Sequence, residues 1–255
     1  VYNDLYSLHA LLNDHPGEFA AVIMEPMNVA EPQDDFLAKC RDLAHQHGAL
    51  FVFDEVISGF RFHIGGAQTM YGVTPDLAAF GKSMGNGYPI SALVGKAEYM
   101  KEMEEVFLSG TFGGEALSLT ASIATIRKMQ REPVHETIAK TGEVVRQNAD
   151  RLIEKHGLGH CLSTSGHPTW TFLNFKDTPE ATLWEIKTLY LQEVLALGIL
   201  TLGTHNISYS HTPDDVSKLA AAQDFAFGRI REAFDSPRFL DYLAGPALVP
   251  LFRVR

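Results

Sequence analysis

Cysteine is scarce in this 255-residue chain, with only Cys40 and Cys161 present. Two thiols so far apart form neither a zinc pattern nor a disulfide framework, and a reducing cytoplasm is the default expectation. Positive charge is also short. Lys and Arg total 21 against 31 Asp and Glu, a net charge of −10, and no basic run occurs. That argues against nucleic acid and against anionic membrane surfaces as partners. No apolar stretch approaches the roughly 20 residues of a membrane span. The opening segment, "VYNDLYSLHALL", is polar and mixed, unlike a signal peptide.

Metal and nucleotide patterns are missing as well. His45 and His47 are two apart on a predicted helix and point to different faces, unlike the zinc spacing HExxH. His205 and His211 flank a predicted extended stretch and are not read as metal ligands. "GGAQTMYG" has neither GxGxxG spacing nor a strand just before it, and no GxSxG elbow is present.

What is present reads as an α/β protein. "AAVIMEP" (Ala20 to Pro26) and "ALFVFDEV" (Ala49 to Val56) are apolar runs of strand length. Between them, "PQDDFLAKCRDLAHQHG" predicts a helix with Pro32 near its start and Gly48 as its stop. "DLAAFGKSMG" and "ISALVGKAEYM" add further short strands. Apolar strands alternating with helices or long connections predict a mostly parallel sheet. From Glu115 to about His156 the pattern is helical, broken near Pro133. A second unit follows, with a strand "TWTFLNF" and an extended "ILTLGTHNISYS". It also holds one helix capped by Thr178 with Pro179 in its first turn, and another capped by Thr212 with Asp215 three residues on. The expected division is 1–150 and 151–255, a larger α/β domain and a smaller α+β domain.

Three places could carry chemistry. Asp54 ends a strand, where α/β proteins put ligand groups. Lys82, in "AAFGKSMGNGYPI", follows another strand and sits among glycines that allow close approach. A desolvated lysine there would be a nucleophilic amine. "LSGTFGGEAL" precedes a helix, and its Ser109, Thr111 and glycines could hold a phosphate. Each has an ordinary role too: a loop cap, a surface lysine, a turn. Together, a buried anion, a reactive amine and a phosphate cradle are what pyridoxal phosphate requires.

"FDEVISGFR", "FGKSMGNGYPISALVGK" and "GTFGGEALSLTAS" occur in the order and at the separations seen in one family. The chain resembles the class III aminotransferases of pyridoxal-phosphate fold type I, nearest the glutamate-1-semialdehyde aminomutase-like branch. The resemblance implies a partial fold type I large domain followed by the smaller C-terminal domain. It implies that Lys82 forms the Schiff base with the cofactor aldehyde and then shuttles protons. Asp54 would pair with the pyridine nitrogen, and Val56 would pack on the ring. Thr111 would bind the cofactor phosphate of a neighbouring subunit in a homodimer, and Glu25 would lie near the cofactor. The implied partners are a small-molecule amino donor and acceptor, the substrate being a semialdehyde, keto acid or keto sugar.

Departures from the family pattern narrow this. "MNVAEP" after Glu25 lacks the Gly-Glu pair of many ω-aminotransferases. Arg61 lies in the motif, while Arg229, Arg231, Arg253 and Arg255 match no substrate-carboxylate position. The family's Ser/Gly phosphate dipeptide and its ring-stacking aromatic, which precede these motifs, have no counterpart, so the sequence reads as the C-terminal part of such an enzyme. Two other readings remain open: a non-catalytic fragment or scaffold subunit keeping the fold, and a Schiff-base lyase that needs Lys82 but not Asp54.

Overall fold

The computed structural model describes residues 1–107 and 110–250. The chain divides into two compact units, Val1–His135 and Glu136–Arg255.

In the first unit, helix α1 (Leu5–Asp14) is capped by Asp4, whose side chain accepts from the Ser7 amide. Strand β1 (Ala21–Met24), helix α2 (Phe36–Gln46) and strand β2 (Leu50–Glu55) follow. Pro32 lies in the approach to α2 and not in its first turn. Asp34 and Asp35 take φ of 50° and 58°, and the helix begins only after them. Helix α3 (Gly66–Tyr71), strand β3 (Leu77–Phe80), a 3₁₀ turn at Lys82–Met84, strand β4 (Ala92–Gly95), helix α4 (Ala97–Met100) and helix α5 (Ala116–Arg131) complete the unit.

The four strands form one sheet in the order β1-β2-β3-β4. β1, β2 and β3 are parallel, with Met24 beside Phe53 and Asp54 beside Ala79, and β4 returns antiparallel. β2 is the best-covered strand. Phe51, Phe53 and Glu55 share one face by strand alternation and are fully buried. The two phenylalanine rings meet edge-on, centroids 5.1 Å apart. They pack with Phe36, Leu37, Cys40 and Ala44 of α2, each such buried side chain contributing about 1.5–3 kcal/mol. Asp54 faces the other way.

The second unit contains most of helix α6 (Val134–Lys155), strands β5 (Leu162–His167) and β6 (Trp170–Phe175), helix α7 (Leu183–Ala196), strand β7 (Thr204–Asn206) and helix α8 (Pro213–Asp235). Its strands form an antiparallel sheet in the order β5-β6-β7. Tyr190, Val194, Phe227 and Ile230 of α7 and α8 are fully buried in its core. α6 comes so close to the β5–β6 turn that a Cβ on Gly142 would lie 1.6 Å from the Pro168 carbonyl oxygen. Only glycine admits that contact.

Two expectations for this unit change. Thr178 does not cap α7. Its hydroxyl closes a turn with the backbone of Ala181, and Thr182 caps instead, in a capping box with Glu185. The stretch "ILTLGTHNISYS" pairs as a strand only over Thr204–Asn206. Thr212 and Asp215 do form the expected capping box on α8.

Candidate active site

Parallel strands share a direction, so their carboxyl ends share an edge. β1 ends at Met24 and is followed by Glu25. β2 carries Asp54 one residue before its end. β3 ends at Phe80, followed by Gly81 and Lys82. Glu25, Asp54 and Lys82 therefore come to one edge from three adjacent strands, at the position where open α/β sheets bind ligands.

Asp54 is half-buried, and its Oδ1 accepts the Val56 amide at 3.0 Å. Among the described residues no cation lies against it. The adjacent Glu55 differs in every respect. It is fully buried and accepts from the Ser58 hydroxyl (2.9 Å), the Ala67 and Gln68 amides (2.6 and 3.0 Å) and the Gln68 side-chain amide (3.3 Å). Val56 is half-buried and lies beside the glycine that precedes the lysine. A Cβ on Gly81 would approach Val56 Cγ1 to 3.4 Å.

Lys82 is exposed, so the desolvation expected of it does not hold in this structure. Its φ is +28°, in a region that lysine seldom occupies, and residues held there cluster at functional sites. The loop is fastened on its far side. The Ser122 hydroxyl of α5 donates to the Met84 carbonyl at 3.1 Å, both partners buried. Glu25 accepts from the Asn28 side chain at 2.9 Å. Thr111 sits in an exposed turn ahead of α5, and Glu115 caps that helix by accepting from the Leu117 and Ser118 amides. Phe107 and Phe112 are exposed near that turn in sequence, and Leu117 and Ile123 are exposed on α5. Ser109, Arg253 and Arg255 lie outside the described residues.

The set fits pyridoxal phosphate on its donor chemistry. It offers a carboxylate with an oxygen left over, an amine with no carboxylate against it among the described residues, and a glycine between that amine and Val56. No group of three or more His, Cys, Asp or Glu among the described residues is placed to hold an ion.

Sequence reasoning gave three groups no role. The first is Glu55, hidden by its neighbour in the motif. The second is Asp76, buried just before β3. Its Oδ2 accepts the Phe51 amide (2.7 Å) and meets His45 Nε2 (2.8 Å), while Lys96 Nζ lies 2.7 Å from Oδ1. Burial acts to raise this carboxyl, but the bonds from Lys96, the Phe51 amide and His45 outweigh it and hold it below the usual range. The third is His205, in a cavity of about 490 Å³ in the second unit whose lining includes Thr141, Ile199, Thr201, His211 and Lys218. Burial pushes its imidazole down to about 4. Its Nδ1 meets the Thr171 hydroxyl at 3.1 Å, and its Nε2 has no partner among the described residues. None of the candidate site residues lines that cavity.

The family profile for class-III aminotransferases matches residues 3–219. A 3-aminobutyryl-CoA aminotransferase of Cloacimonas acidaminovorans is 36% identical over 225 residues, 85% of this chain and 54% of that protein. A glutamate-1-semialdehyde 2,1-aminomutase of Brevibacillus brevis is 31% identical over 251 residues, 91% of this chain and 57% of that protein. Among solved structures, the pyridoxal-phosphate internal aldimine form of the FumI protein of Sphingopyxis sp. MTA144 superposes with a TM-score of 0.84. The two are 32% identical, and the superposition covers 92% of this chain and 58% of that one. The chain thus spans a little over half the length of the relatives it matches.

Proposed function

The chain belongs to the class-III aminotransferase family, and on that premise we propose that it serves in amino-group transfer with pyridoxal phosphate, as an aminotransferase or an aminomutase. The observation that carries this reading is the delivery of Glu25, Asp54 and Lys82 to one sheet edge by three adjacent parallel strands. When bound, pyridoxal phosphate supplies an aldehyde that takes up amines and a ring that withdraws electrons from the reacting carbon. Lys82 would be the amine that holds the cofactor through its aldehyde, and its Nζ would be placed to take up or give back a proton. Asp54, with one oxygen held by the Val56 amide, would offer the other to the ring nitrogen and favour its protonated form. Val56 would pack against the ring, and Glu25 borders the same sheet edge.

Thr111 would bind the phosphate of a partner subunit's cofactor. The exposed Phe107, Phe112, Leu117 and Ile123 of the same segment of chain support a homodimer that covers them. The substrates are a small-molecule amino donor and an acceptor that is a semialdehyde, keto acid or keto sugar. Two buried free thiols, Cys40 and Cys161, support a reducing compartment, the cytoplasm.

Borohydride reduction of the cofactor-loaded protein, followed by digestion and mass mapping, tests the assignment. A pyridoxyl label on Lys82 is expected. A label on Lys101, or on Lys96 despite its ion pair with Asp76, overturns it.

A further inference from the structure

Glu55 has no part in the reading above, yet it is the most heavily bonded carboxylate near the site. Taking a carboxylate out of water costs several kcal/mol unless hydrogen bonds replace the lost hydration. Here four donors do so, and their places in the chain are informative. Ser58 lies just after β2, while Ala67 and Gln68 lie in the first turn of α3. One carboxylate thus clips both ends of the excursion from Val56 to Gly66. The Glu55 backbone adds to this, its carbonyl accepting the Gly59 amide at 2.9 Å. The clip has no slack. Gly66 has φ +78°, and a Cβ there would come within 2.5 Å of Glu55 Oε1.

The clipped segment opens with Val56, whose amide holds Asp54 Oδ1 at 3.0 Å. It then passes Phe60, at φ +60°, whose ring meets Phe80 at 5.5 Å between centroids. Phe80 ends β3, two residues before Lys82. We propose that Glu55 is a positioning residue for Asp54: by fixing the turn after β2 it fixes the amide that orients the Asp54 carboxylate. This rests on the reading of Asp54 as the partner of the ring nitrogen. Glutamine at position 55 would keep the shape and one acceptor, but would turn an NH₂ toward groups that are themselves donors.

The test uses the intact holoenzyme loaded with pyridoxal phosphate isotope-labelled at the ring nitrogen, whose magnetic resonance reports ring protonation. Asp54→Asn should move the resonance to the unprotonated position. Glu55→Gln should move it part of the way in the same direction. It should also lower kcat about tenfold, with KM within about twofold. Ser58→Ala and Gln68→Ala, each removing one donor, should give smaller shifts of the same sign. A Glu55→Gln protein that melts lower but keeps the wild-type resonance overturns the proposal. If that variant does not fold, unmoved resonances in both Ser58→Ala and Gln68→Ala overturn it instead. A resonance unmoved in Asp54→Asn removes the assignment of Asp54 itself, and the proposal falls with it.

Discussion

Two sets of the same residue types stand at opposite edges of the first unit's sheet. At the carboxyl edge are Asp54 and Lys82, and at the amino edge are Asp76 and Lys96. The second set is closed on itself. Asp76 is 1% exposed and shares its two oxygens among a backbone amide, a histidine and Lys96. The first set is open. Asp54 takes one amide from its own turn, Lys82 is exposed, and no described residue neutralises either. A charge whose partners lie within the fold contributes to stability. A charge left over at a strand end is available to a ligand that brings the missing counter-charge.

The largest effects should fall at the open edge and on activity alone. Lys82→Ala should abolish amino transfer, and Asp54→Asn should slow it by about a hundredfold or more, near 3 kcal/mol of transition-state stabilisation. Neither should lower the melting temperature appreciably. Near-wild-type turnover in Asp54→Asn, measured by steady-state kinetics on the loaded enzyme, would erase the contrast between the edges.

At the closed edge the effect should invert. Asp76→Ala leaves the Phe51 amide without its acceptor at a buried position, a cost of about 2–4 kcal/mol that urea titration would measure. The surviving folded protein should keep its Lys82 chemistry.

Acid should separate the edges without mutation. The Asp76 carboxyl is held low in the folded state, so its stabilisation is present above the unfolded value of about 3.9 and disappears as pH falls through the lower folded value. Melting temperature should therefore drop on acidification below about pH 4, and Asp76→Asn should flatten that part of the profile. An equal drop in both proteins would assign acid sensitivity elsewhere. The smallest effect belongs to His45, whose side chain is 39% exposed. His45→Gln should cost under about 1 kcal/mol by the same titration.

The open edge was legible in the sequence and the closed edge was not. Asp54 and Lys82 announce themselves because each follows an apolar run and stands beside turn residues. Asp76, in "TPDLAAF", looks like any turn acid, since its partners His45 and Lys96 arrive from remote parts of the chain. His45 drew notice only as half of a spacing that excludes metal. The α7 cap was misread because Pro179 after Thr178 imitates a helix start, although "TLWE" carries the full capping-box spacing from Thr182 to Glu185. β5 gave no signal: "LSTSGH" has almost no apolar periodicity, and the strand lies at the edge of its sheet. The strand order of the first sheet, which brings Glu25, Asp54 and Lys82 to one edge, depends on pairings that no local pattern encodes.

The backbone contact between Gly142 and Pro168 bears on how the second unit moves. Most element contacts are made by side chains, which can hop between rotamers and let two elements slip. Here helix and turn touch with no side chain between them. The β5–β6 turn then cannot loosen while α6 stays in place. Amides in the turn and in the middle of α6 should exchange with solvent deuterium through one shared opening, at matching free energies, and not as separate local fluctuations.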